Sequence, residues 1–200
     1  MRTSIFISLL LAGCASRAIP ERVATTDDSS RPAHDCQGLP TSDSRHVTAL
    51  LPGAGGSECV ALVEEKLSAI RSEPGAWVRR EGRWDYTPLG DFADGAAWQR
   101  SVVDGDVILA VLDNVIESPG WELRVVASID GGRSWSERGQ LRKPYYFALT
   151  HTLAMEDGRG TISVDLDDDY GAGVAPGRYW YQTDDGGRTW QGPSRATAQR

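Results

Sequence analysis

The residues whose types and spacing best suit chemistry lie between Asp165 and Gly171. There Asp165, Asp167 and Asp169 stand at alternate positions in Asp-Leu-Asp-Asp-Asp-Tyr-Gly. Alternate carboxylates are the spacing of a calcium loop, which gathers several hard oxygen donors from one turn. The run departs from the usual loop pattern: its glycine falls one place late, and Pro176 stands where the bidentate glutamate belongs. Calcium on Asp165, Asp167 and Asp169 is therefore one expectation, and a solvated acidic loop at a strand end is the other. No other cofactor is expected, because His34, His46 and His151 are scattered without ligand spacing. No catalytic residue is expected either. Carboxylates abound, but no motif pairs one with a base or nucleophile, and Gly-x-Ser-x-Gly is absent. Tyr145-Tyr146 and Tyr179-Trp180-Tyr181 offer stacking platforms for sugar rings or, as the strand patterns around them favour, cross-strand packing.

These groups are positioned by a stretch of eight residues that occurs twice. The first copy runs from Ser128 to Trp135 with Asp130, Gly132 and Ser134; the second runs from Thr183 to Trp190 with Asp185, Gly187 and Thr189. Asp-Gly between β-forming runs signals a hairpin, since the turn needs a positive φ that glycine adopts at little cost. The carboxylate accepts backbone N–H groups further along the turn, the Ser or Thr hydroxyl bonds back to it, and the Trp anchors the return strand. The pattern Ser/Thr-x-Asp-x-Gly-x-Ser/Thr-Trp resembles the Asp-box, or BNR repeat, of sialidases and Vps10-type receptors. The resemblance implies β-propeller blades in which the box is a structural part between the third and fourth strands.

The repeat extends beyond the box. Trp98–Val103 and Ala148–Met155 read as first strands, each followed by Asp-Gly; Val107–Leu112 and Thr161–Leu166 read as second strands; Trp121–Ala127 and Arg178–Gln182 as third. The fold class expected is mainly β, with two four-stranded antiparallel blade-like units in an incomplete propeller or sandwich. One N-terminal helix is expected as well. It starts at Ser57 as N-cap, has Val60, Ala61, Leu62, Val63, Leu67 and Ile70 on its apolar face, and ends at Pro74-Gly75. A hairpin turning at Glu81-Gly82 then packs the helix against the repeats. The domain reading is signal 1–13, tether 14–45, helix-and-hairpin cap 46–95, and β units at about 96–143 and 144–200. The chain after the tether has room for about three blades of this length, of which two are visible.

Arg2, the apolar run Ile5–Leu11 and Leu11-Ala12-Gly13-Cys14 form an export signal too short to span a bilayer. The last four residues resemble the bacterial lipobox. That resemblance implies cleavage before Cys14, diacylglycerol and a palmitate-type acyl group on it, and an envelope location. With Ala15 next, the outer membrane is favoured over the inner. Residues 15–45 are too poor in large apolar side chains to fold alone. In an exported chain, Cys36 and Cys59 are expected to form a disulfide, with stabilisation of about 3 kcal/mol in the chain-entropy model. The formal net charge of −7 argues against nucleic acid and leaves membrane contact to the lipid.

Together these features lead to the expectation of a lipid-anchored, non-catalytic binding or envelope-assembly module, its partner an envelope protein or glycan, with oligomers allowed. The alternative is a sialidase-like, glycan-processing hydrolase, although the Phe-Arg-Ile-Pro motif of that family is missing.

Overall fold

The computed structural model describes residues 36–40, 42–67, 72–90, 95–114, 122–146, 148–168, 171 and 173–195. Twelve strands form three four-stranded sheets, each an antiparallel meander, and the described residues contain no helix. The first sheet comprises β1 (Arg45–Pro52), β2 (Cys59–Lys66), β3 (Ser72–Arg80) and β4 (Arg83–Pro88). The middle sheet comprises β5 (Ala96–Asp104), β6 (Val107–Asn114), β7 (Glu122–Ser128) and β8 (Ser136–Arg142). The third comprises β9 (Leu149–Glu156), β10 (Arg159–Leu166), β11 (Gly177–Thr183) and β12 (Gln191–Arg195). Among the described residues the sheets do not close into a barrel.

The expected helix is the main correction. Residues 59–66 form β2, a central strand whose residues Cys59–Val63 are all buried. A short unbroken apolar run suits a strand covered on both faces as well as a helix, and here the neighbouring strands decide. Ser57 caps no helix: its hydroxyl donates to Ala54 O at 2.7 Å and accepts from Ala54 N at 3.0 Å, closing the turn before β2. Pro74 and Gly75 lie within β3, where the Tyr86 ring covers Gly75 and leaves no room for a Cβ. The hairpin at Glu81-Gly82 is present as β3–β4, with both turn residues at positive φ. It belongs to the first sheet, a unit beyond the two expected and built like them.

The middle sheet is covered on both faces. Ile108, Ala110 and Leu112 of β6 point to the first sheet and meet Val60, Leu62, Ala76 and Val78. Leu109 and Val111 point the other way, with Leu123 and Val125, and meet Ile162, Val164, Tyr179 and Tyr181. Period-two alternation thus splits one strand between two cores. Each Val, Leu or Ile among them is worth about 1.5–3 kcal/mol of burial. Tyr181 is fully buried; its hydroxyl donates to Arg142 O, and burial pushes it well above the usual phenol range.

Residues 36–40 and 42–45, expected as the end of the tether, are held to the first sheet. Cys36 is disulfide-bonded to Cys59, Trp84 Nε1 donates to Gln37 O at 3.1 Å, and Lys66 N donates to Ser44 O at 2.6 Å. Cys14 and the export signal lie outside the described residues.

Candidate functional site

The two eight-residue stretches fold alike. Asp130 accepts Ser134 N and Ser128 Oγ on Oδ1 (2.9 and 2.8 Å) and Ser134 Oγ on Oδ2 (2.6 Å); Gly132 N donates to Ser128 Oγ, and Trp135 Nε1 to Gly132 O. Asp185 has the same contacts with Thr189 and Thr183, Gly187 N donates to Thr183 Oγ1, and Trp190 Nε1 to Gly187 O. The bonds from Thr189, hydroxyl first and then N–H, hold the Asp185 carboxyl down to about 2. At Asp130 burial works upward, but the Ser134 and Ser128 bonds together keep the carboxyl below its ordinary value. Both oxygens of each carboxylate are thus engaged in closing its own turn.

The stretches also fasten sheets together. A Cβ on Gly132 would lie 2.9 Å from Val78 Cγ2 in the first sheet, and one on Gly187 would lie 3.1 Å from Leu109 Cδ1 in the middle sheet. Each turn therefore lies flat on the sheet before its own. Trp135 packs on the same core at 5.3 Å from Trp98, and the Arg80 guanidinium donates to Asp130 O and, at 3.1 Å, to Gly55 O.

At the opposite end, all three sheets repeat a second constellation. Near the end of each second strand stands a carboxylate: Glu64, Asp113 and Asp165, paired across from His46, Ala97 and Leu149 respectively. Two residues on, each first strand carries a bulge, at Thr48, Gln99 and His151. A bulge adds one residue and re-aims the strand. Arg100 ties two of the bulges, donating to Gln99 O at 2.7 Å and His151 O at 2.9 Å. By alternation each carboxylate points toward the position of the following sheet.

The three carboxylates have different partners. Glu64 accepts Trp98 N of the middle sheet at 3.0 Å; burial pushes its carboxyl up, against the pull of that N–H and of His46. Asp113 receives Lys143 Nζ at 3.0 and 3.2 Å, and both side chains are almost completely buried. Asp165 receives Arg178 Nε at 2.7 Å and Nη2 at 2.9 Å, with His151 Nδ1 at 3.4 Å. The Arg178 bonds hold its carboxyl below the ordinary value, with burial opposing and the charges of Arg178 and His151 assisting.

Asp165 differs because no further sheet covers its face among the described residues. In the middle sheet the corresponding face carries Leu109, Val111, Leu123, Val125 and Ala127, all buried. Register places Thr161, Ser163, Arg178, Trp180 and Gln182 at those positions in the third sheet. Ser163 is bonded to Thr152 Oγ1 at 2.7 Å, and Trp180 lies across from Ser163 on one side and Ser194 on the other. Arg178 lies 5.9 Å from the Trp180 ring centroid. The side chains of His151, Arg178 and Asp165 keep 47%, 36% and 30% of their exposure, and Trp180 is half-buried. This polar and aromatic face is the candidate site.

Of the residues singled out as calcium ligands, Asp165 is engaged by Arg178, Asp167 is exposed beyond the strand, and Asp169 lies outside the described residues. Among the described residues no three His, Cys, Asp or Glu side chains gather as a metal site. Tyr145, Tyr179 and Tyr181 are core residues and Tyr146 packs against the same core, leaving Trp180 as the outward-facing member of its trio. Glu64 and the joint of His151, Asp165 and Arg178 escaped the sequence reading. The signal for them is the recurrence of an acid at 64, 113 and 165, visible only once β2 is aligned as a third copy.

No protein family matches this chain, and no curated protein matches it. Among solved structures the chain is similar to a mutant α-L-arabinofuranosidase from Fusarium graminearum in complex with an iminosugar inhibitor. The identity is 14%, the TM-score is 0.48, and the match covers 72% of this chain and 46% of the enzyme. The chain thus spans about half the length of that protein.

Proposed function

We propose that this protein is a lipid-anchored recognition module of the bacterial envelope, held by an acylated Cys14 and binding its target without catalysis. The observation that supports this reading is the outer face of the third sheet. Where the middle sheet carries Leu and Val to pack a neighbour, the third presents His151, Asp165, Arg178 and Trp180. A polar, aromatic and partly exposed face suits a ligand better than another sheet. The strand-end carboxylates are engaged by N–H, ammonium and guanidinium groups of the chain itself, which favours a scaffold role for them. The test is affinity capture from envelope extract with wild type and Trp180→Ala. The variant is expected to lose the envelope component that the wild type retains; equal capture by both proteins would sink the reading.

The second reading is a glycan-processing hydrolase. It requires two carboxylates converging on one cleft, whereas Glu64 faces the middle sheet and Asp165 the uncovered face of the third. Turnover of chromogenic aryl glycosides that vanishes in both Glu64→Gln and Asp165→Asn would replace the first reading by this one.

A further inference from the structure

We infer that the outer face of the third sheet is a binding platform for a neutral saccharide, seated with one ring on Trp180. The inference rests on the recognition reading above and names the class of its ligand. A pyranose has apolar C–H faces and a rim of hydroxyls, so it needs a flat ring with paired donors and acceptors beside it. Trp180 supplies the ring. Beside it, Asp165 and Arg178 form a bidentate pair, with contacts of 2.7 and 2.9 Å. That pair uses two of the five guanidinium N–H groups and leaves carboxylate lone pairs for hydroxyl donors. Ser194, exposed on β12, donates its hydroxyl to Trp180 O at 3.4 Å and keeps its oxygen lone pairs as acceptors beside the ring. The pair is rigid: Arg178 is braced by Asp165, and Asp165 is also approached by His151 from the β9 bulge. Preorganised polar groups lose little freedom on binding.

Charge selects among saccharides. The cation at Arg178 is already neutralised by Asp165, and the chain carries a net charge of −7. An acidic polysaccharide would be repelled by the net charge of the whole molecule, which the exposed Arg159 at the other end of β10 does not offset. A further sheet is equally unsuited, since it would bury Arg178, Gln182 and Asp165 against apolar side chains.

The experiment is calorimetric titration of the full chain, purified in detergent, with chitohexaose, cellohexaose and polygalacturonate. Saturable binding of at least one neutral hexasaccharide is expected, in the micromolar to millimolar range. Polygalacturonate should give none. Trp180→Ala should weaken binding about tenfold or more, consistent with loss of a stacking ring. Trp180→Phe should restore most of it, and Trp84→Ala, on the first sheet, should leave it unchanged. Absence of binding by both neutral sugars, affinity indifferent to Trp180→Ala, or preference for polygalacturonate would each overturn the inference. Capture of an envelope protein that depends on Trp180, with neither sugar bound, would overturn it while leaving the recognition reading in place.

Discussion

At the scale of single residues, charge placement governs stability. Asp185 has its folded carboxyl at about 2, against an ordinary value of 3.8. The folded form therefore releases its proton more readily than the unfolded chain. The stability this contributes is complete above the ordinary carboxyl range and drains away as pH falls toward 2. Asp130 is shifted the same way. We expect the wild-type melting temperature to fall steeply between about pH 4 and 2, and that of Asp185→Asn to start lower and fall less steeply. Parallel calorimetric curves for the two proteins would contradict this linkage. Lys143 makes a second case. Its ammonium is sealed against Asp113, so Lys143→Ala removes the ammonium from a buried ion pair and should cost about 3–5 kcal/mol. Replacing both partners with apolar residues of similar size should cost much less. Urea unfolding of the single and double variants separates the two outcomes.

At the scale of elements, the turns between third and fourth strands do two jobs. The hydrogen bonds around Asp130 and Asp185 were legible in the sequence, because turn chemistry is local and announces itself in residue types. That each turn also seats its sheet on the one before was not legible, since the partners of Gly132 are Val60 and Val78, more than fifty residues away. The first sheet stayed hidden for a related reason. It replaces the eight-residue stretch with the short turn Glu81-Gly82, so the most visible mark of the repeat is missing, and its buried β2 carries the apolar run that imitates a helix face. The packing role is open to test. Gly132 and Gly186 both have positive φ, +90° and +74°, but only at Gly132 would a Cβ meet neighbouring side chains. Gly186→Ala should cost about 1 kcal/mol of backbone strain. Gly132→Ala should add overpacking of about 1–3 kcal/mol to a similar strain. Equal losses in chemical denaturation would reduce these glycines to turn formers.

At the scale of the whole molecule, the question is how a series of three four-stranded sheets ends. The middle sheet shows what continuation requires: apolar residues on both faces and a carboxylate whose partner arrives from the connection to the next sheet, as Lys143 does for Asp113. The third sheet breaks both conditions. Its outer face is polar, and Asp165 is satisfied by Arg178 of its own sheet. In stacked repeats a polar outer face marks the terminal unit. The first sheet ends differently: Arg45 is sandwiched on its aromatic pair, 5.2 Å from the Trp77 centroid and 4.3 Å from that of Tyr86, and Cys36 ties the incoming segment to β2. A ring of two copies would press the third sheet of one against the first of the other, desolvating Asp165, Arg178 and Gln182 against Arg45 and its ring pair. We therefore expect an unlipidated Cys14→Ser protein to run as a monomer in light scattering after gel filtration, at every concentration tried. A stable dimer would mean that the third sheet continues into another copy, and Trp180 would then lie in an interface and be closed to any saccharide.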